Sequence, residues 1–186
     1  MRLRLLALLA LVVLLAGCPP WEMVGGRYTT DQYSEMNLPE GWRKFSHASE
    51  SLLITRDGVM LQKIVVNRLQ IDKDLPYTKK KLAKGMLPQE MAEVLIDDFR
   101  SNSTIRNQQI LENMPVKIDG YPGFKLVCAF ETTNGLKKQG AYYGFMEGDA
   151  FYLLRYEAPA RYYFARDLPT FEKVKDSFKL LKKGAA

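Results

Sequence analysis

The stretch 122–159, PGFKLVCAFETTNGLKKQGAYYGFMEGDAFYLLRYEAP, constrains the fold more than any other part of the chain. Three runs rich in aromatic and branched residues are separated by two turn signals, Asn134-Gly135 and Glu147-Gly148-Asp149. Asn-Gly between apolar runs favours a tight hairpin, because both residues accept the positive φ angles that such a turn needs. Alternation places Phe124, Leu126, Cys128 and Phe130 on one face and Val127 and Ala129 on the other. Phe151 and Leu153 likewise alternate with Tyr152, Leu154 and Tyr156. Both faces are apolar at the centre, so this antiparallel meander must be covered on both sides.

The flanking segments supply covering material. SLLITRDGVMLQKIVVNRLQI (51–71) reads as two strands joined at Arg56-Asp57-Gly58, with Leu61, Lys63, Val65 and Leu69 on one side and Ile64 and Val66 on the other. YSEMNLPEGW (33–42) reads as a short strand followed by a Pro-Gly turn. Pro88 opens a helix, where its missing N–H costs nothing, and Met91, Val94, Leu95 and Phe99 recur at helical spacing. Glu90 and Glu93 suit its positive end and Arg100 its negative end. Residues 104–120 suggest a strand broken at Pro115, with a turn at Asp119-Gly120. In the final segment Asp167 reads as a helix cap with Pro169 in the first turn. Phe171, Val174, Phe178 and Leu181 form the apolar stripe, with Lys179, Lys182 and Lys183 near the negative end. The expected architecture is α+β: an antiparallel β-sheet with helices packed on both faces.

The chain of 186 residues opens with Met1-Arg2-Leu3-Arg4, followed by twelve residues, Leu5–Ala16, without a polar side chain. A membrane-spanning helix needs roughly 20 apolar residues, and Pro19-Pro20 stops a helix. A basic start, an apolar middle and a small-residue exit form the pattern of a secretory signal peptide. Leu15-Ala16-Gly17-Cys18 resembles the lipobox of bacterial lipoproteins at all four positions. The resemblance implies that the Cys18 thiol takes a diacylglycerol, that the chain is cut before it, and that the new amino group is acylated (palmitate is a common chain). The competing reading is an ordinary cleaved leader that carries a cysteine. Pro19 stands where enteric inner-membrane lipoproteins carry aspartate, which favours the outer membrane over the inner. The expected organisation is a cleaved leader over 1–17, a lipid-anchored linker over 18–30 and one domain over 31–183. Trp21 in that linker could equally rest among lipid head groups or serve as a loop residue.

Of 27 Lys and Arg, two lie in the leader, which leaves 25 against 21 Asp and Glu, a formal net of +4. That balance does not mark a nucleic-acid binder. After Cys18 only Cys128 remains, so no internal disulfide forms, and its apolar run predicts a buried structural thiol.

The order of these pieces carries a family resemblance. LPEGW follows the first strand, and the Arg56-Asp57-Gly58 hairpin comes next. A helix precedes the meander, GYPGFKL opens one strand, FYLLRYEAP ends another, and FEKVKDSFKLL closes the chain. This order resembles the Mog1/PsbP-like fold over residues 30–182, and among bacterial members the DcrB-like envelope lipoproteins. The resemblance implies an α/β/α sandwich acting as a non-catalytic binding or assembly module. It carries over no binding residue.

Chemistry-bearing motifs are sparse. The one histidine, His47, excludes a site built on histidine pairs, and HExxH, CxxC, G-x-S-x-G, P-loop and G-x-G-x-x-G are absent. No catalytic residue, metal ligand or cofactor is expected. An envelope hydrolase built around His47, or a structural or stress lipoprotein, remains as the alternative. Asp97 and Asp98 point roughly 100° apart on a helix and read as a solvated face. Two patches are candidates for partner binding. Lys79, Lys80, Lys81 and Lys84 could meet anionic lipid or an acidic partner, or form a solvated loop. Arg161, Tyr162 and Tyr163 combine arginine with aromatics as binding anchors do, or belong to the core. The expected partners are the membrane, through Cys18, and an unidentified envelope protein.

Overall fold

The structure, a computed structural model, describes residues 21–30, 33–46 and 51–181. The expected leader, Cys18, His47, Lys182 and Lys183 lie outside the described residues. The strands in chain order are β1 (Trp21–Thr30), β2 (Ser34–Phe45), β3 (Leu52–Thr55), β4 (Lys63–Gln70), β5 (Ile105–Ile118), β6 (Tyr121–Thr132), β7 (Lys137–Glu147), β8 (Ala150–Pro159) and β9 (Lys179–Leu180). The helices are α1 (Pro88–Arg100) and α2 (Tyr163–Asp176). One mostly antiparallel sheet runs β1-β2-β3-β4-β8-β7-β6-β5, with β9 paired to β2. The fold is α+β.

The meander forms as the alternation predicts. Lys125 pairs with Tyr143 across β6 and β7, and Gly144 with Leu153 across β7 and β8. Successive strand residues point to opposite faces, and β8 divides its side chains accordingly. Phe151 and Leu153 pack in a cluster with Met91, Ala92 and Ile96 of α1. Tyr152, Leu154 and Tyr156 pack in another with Phe164, Phe171 and Val174 of α2. Trp42 and Met36 of β2 join that second cluster, each only 1 % exposed.

Several local expectations need correction. Residues 21–30, expected in the linker, form β1, which pairs with β2 from Trp21–Phe45 to Thr30–Ser34. Trp21 packs against Phe45 at a ring-centroid distance of 4.9 Å. The strand expected to be short, β2, has 12 residues. Leu61 precedes β4 and lies in the connection that begins at Arg56. Pro115 does not break β5: the strand lies at the edge of the sheet, the position in a sheet where proline is tolerated.

The largest local error concerns α2. Asp167 is not its cap but lies inside the helix, 1 % exposed, and Pro169 is internal too. The helix starts at Tyr163, where the Tyr156 hydroxyl donates to the Tyr163 carbonyl at 2.7 Å. Its turn of entry is Tyr162, at φ 74°, a conformation uncommon for a bulky residue. Phe178 follows the helix rather than continuing it, and residues 179–180 pair with β2.

Candidate functional site: a cleft beneath α1

Helix α1 lies over β5, β6 and β7. The connection 71–87 lies on the same side of the sheet, and a cavity of about 500 Å³ remains between it, α1 and strands β4, β6, β7 and β8. Leu75, Pro76 and Tyr77 line it from the connection, and Leu95, Asp98 and Phe99 from the helix.

The strand register explains the floor. Lys63 stands opposite Glu157, Val65 opposite Arg155, Asn67 opposite Leu153, and Leu69 opposite Phe151. On the next strand Tyr142 pairs with Arg155, and Leu126 of β6 with Tyr142. One end of the floor is therefore polar and the other apolar. At the polar end, Lys63 Nζ lies 3.0 Å from Glu157 Oε2, and the Tyr142 hydroxyl donates to Glu157 Oε1 at 3.0 Å. At the apolar end, Phe124 and Phe151 are stacked at 6.3 Å.

Two glycines permit this arrangement. A Cβ at Gly140 would lie 2.5 Å from the Tyr142 ring, which bends back over that residue. A Cβ at Gly144 would lie 2.4 Å from Phe124 and 2.8 Å from Phe151. Either contact is far inside van der Waals range.

Electrostatics sets the protonation of the polar end. Burial alone would raise the Glu157 carboxyl, but Lys63 and Arg155, with hydrogen bonds from Lys63 and Tyr142, outweigh it and hold the pKa below its ordinary value. Burial, then the adjacent Glu157, pushes Tyr142 well above the usual tyrosine range. Burial raises the Cys128 thiol, another lining residue, to about 12, which keeps it protonated and suppresses thiolate chemistry. Burial lowers the Lys138 pKa, while Glu157 opposes that shift.

Asp98 is not a solvated residue, as its sequence context had suggested. It is 9 % exposed, and its Oδ1 accepts hydrogen bonds from the Tyr77 N–H and the Thr78 N–H, both at 2.9 Å, and from the Thr78 hydroxyl at 3.1 Å. It thereby ties the connection 71–87 to α1. Its neighbour Asp97 faces outward and pairs with Lys80.

The two candidate patches from sequence lie apart from one another. The lysines sit on the connection 71–87, where Lys80 pairs with Asp97 at 2.5 Å, Lys81 with Asp74 at 3.6 Å and Lys84 with Asp149 at 3.2 Å. Lys79 Nζ donates to the Pro76 carbonyl at 2.9 Å. All four are exposed, and such pairs are individually weak. Arg161 and Tyr162 are exposed at the entry to α2, while Tyr163 packs against the α2 cluster. Arg166 lies over both tyrosine rings, at 5.1 and 4.6 Å from their centroids, and binds Asp57 and Asp167. Arg56 Nη2 reaches Asp167 at 2.9 Å. These ion pairs tie the β3–β4 connection to α2.

Sequence reasoning did not single out Lys63, Asn67, Tyr142, Arg155 and Glu157. A signal was present: polar side chains interrupt strands that are otherwise apolar on both faces, and all of them fall on the side that Leu153 and Phe151 share.

No protein-family model matches the chain, and no curated protein matches it. Solved structures do. The Ran-binding protein Mog1p of Saccharomyces cerevisiae matches with a TM-score of 0.58 at 10 % identity, over 87 % of this chain and 97 % of that one. The cyanobacterial PsbP (CyanoP) of Synechocystis sp. PCC 6803 matches with a TM-score of 0.55 at 12 % identity, over 89 % and 95 %. LpqN of Mycobacterium tuberculosis, described as involved in cell envelope biogenesis, matches with a TM-score of 0.53 at 14 % identity, over 87 % and 91 %. A Bacteroides thetaiotaomicron protein matches with a TM-score of 0.55 at 17 % identity over 87 % of this chain, which spans only 50 % of that longer one. At these identities the likeness is one of fold, and the fold of this chain is Mog1/PsbP-like.

Proposed function

We propose that this protein is a non-catalytic binding module of the bacterial cell envelope, tethered by lipid at Cys18 and facing the periplasm from the outer membrane. It belongs among small DcrB-like lipoproteins, and its helices cover the two sides of the sheet as an α/β/α sandwich. The cleft beneath α1 is its binding site. The observation that carries this reading is a cavity of about 500 Å³ on whose floor Lys63, Glu157 and Tyr142 are bonded to one another rather than poised for reaction. Its size and its mixture of apolar walls with a few polar groups match ligand sites in general. The Cys128 thiol and the Tyr142 hydroxyl are both held protonated, which favours recognition over nucleophilic attack. The name of Mog1p as a Ran-binding protein and that of LpqN as an envelope-biogenesis protein support a binding role.

The test is crosslinking in intact cells from a photoreactive residue at position 75, in the cleft, and from one at position 161, outside it. A Cys18→Ala chain with an ordinary cleavage site serves as the untethered control. Adducts from position 75 that disappear in the control are expected. Adducts from position 161 alone would refute the assignment of the cleft.

A further inference from the structure

Resting on the reading that Cys18 carries lipid, we infer that one end of the sheet is a membrane-contact surface, on which Trp21, Met23, Arg43 and Phe45 meet the lipid head groups. The tether is the first argument. Residues 18–30 read as a linker in sequence, but β1 is paired with β2 from its first residue, with Trp21 opposite Phe45. Only Pro19 and Pro20 separate Cys18 from the sheet. Three residues of chain span at most roughly 11 Å. A lipid on Cys18 therefore holds Trp21 within about that distance of the head groups, whatever path the two prolines take. Beside Trp21 this leaves room for one helix at most, about 10–12 Å across. The bilayer is the occupant that the chain itself brings to this end of the sheet.

The side chains are the second argument. Cross-strand partners share a face of the sheet, and successive residues alternate between faces. Trp21 stands opposite Phe45, and Met23 opposite Arg43, so these four lie on one face. Glu22 opposite Lys44 and Val24 opposite Trp42 lie on the other. There Val24 and Trp42 pack in the α2 cluster, and Lys44 Nζ lies 3.2 Å from Glu22 Oε2. On the first face Met23 is 65 % exposed and Arg43 is exposed, while Trp21 and Phe45 are half-buried against each other. Each of these residues suits the bilayer boundary. Tryptophan rings settle at head-group level, the methionine reaches apolar lipid, and a guanidinium binds lipid phosphate.

The test places an environment-sensitive fluorophore on the full lipidated chain, through Glu22→Cys or Met23→Cys. The chain sits in vesicles of phosphatidylcholine and phosphatidylglycerol that carry a doxyl-labelled lipid as quencher. Cys128 is buried and a lipidated Cys18 has no free thiol, so each label is specific. Glu22 gives up only an exposed ion pair. The two positions are neighbours along the tether but point to opposite faces, with side-chain ends about 10 Å apart, so quenching at 23 should exceed that at 22 by at least about threefold. Arg43→Glu should bring quenching at 23 down to that at 22 while circular dichroism shows a folded chain. Equal quenching at both positions, stronger quenching at 22, or no loss in folded Arg43→Glu would overturn the inference. So would a blue-shifted but unquenched label at 23, the sign that a second copy or another protein covers this face. Intact mass separates the two readings. Any of these results on a chain that bears diacylglycerol removes the surface and leaves the tether, whereas a mass without it refutes the tether and the surface together.

Discussion

Asp98 offers the sharpest test of how the cleft is built. One of its carboxylate oxygens collects three donors from Tyr77 and Thr78, at 2.9, 2.9 and 3.1 Å. A hydrogen bond to a charged group contributes about 1.5–3 kcal/mol. The three are not additive here, because Tyr77 is 43 % exposed and released N–H groups on that strand of chain regain water. Asp98→Ala should therefore cost about 2–3 kcal/mol, near the value of a single charged bond. Asp98→Asn keeps an oxygen in the same place and should cost about 1 kcal/mol. The loss should be local. Leu82 stays buried against α1, whereas residues 75–80 are otherwise held by weak exposed contacts such as Lys80–Asp97. In hydrogen exchange, segment 75–80 of Asp98→Ala should lose protection about 30-fold, the equivalent of ~2 kcal/mol. A urea midpoint within about 0.5 kcal/mol of the parent, or unchanged protection of segment 75–80, would refute the latch.

Three further outcomes follow from the same geometry. Asp167→Ala should cost about 3 kcal/mol, because it strips a buried carboxylate from Arg56 and Arg166. Asp57→Ala, at the more exposed acid on the same Arg166, should cost under about 1 kcal/mol, as urea titrations of both variants would show. Glu157 has a folded pKa below its ordinary 4.5, so its contribution to stability is complete above the unfolded value and lost as pH falls through the depressed folded one. The stability gap between the parent and Glu157→Gln should then be constant above about pH 5 and shrink under more acid conditions. The Cys128 thiol, raised to about 12 by burial, should resist iodoacetamide at pH 8 and react only as urea unfolds the chain; rapid modification of the native protein would contradict its burial.

The legible parts of this fold were those encoded by local pattern. Alternation around Asn134-Gly135 and Gly148 was enough to place β6, β7 and β8, since two-residue periodicity and turn chemistry are properties of neighbouring residues. Pro88, Glu90 and the Met91–Phe99 spacing placed α1 at its true start. The failures share one cause. Pro115 reads as a break only if β5 needs a partner on both sides, and Asp167 reads as a cap only if nothing else claims its carboxylate. Each was decided by residues distant in sequence: the edge position of β5, and Arg56 on another element.

The same division separates what the chain announces from where its candidate site lies. By itself the sequence determined the meander, the first helix and a mildly basic composition, because periodicity and turn residues act over a few positions. Only tertiary structure decided that Lys63, Arg155, Tyr142 and Glu157 meet, and that Asp98 rather than Asp97 turns inward. It also left a cavity between the connection 71–87, α1 and the strands. Strand pairing brings together residues more than ninety positions apart in sequence, such as Lys63 and Glu157, and the depth of a cleft depends on which elements fail to cover a sheet. Neither is a property of any local stretch of chain.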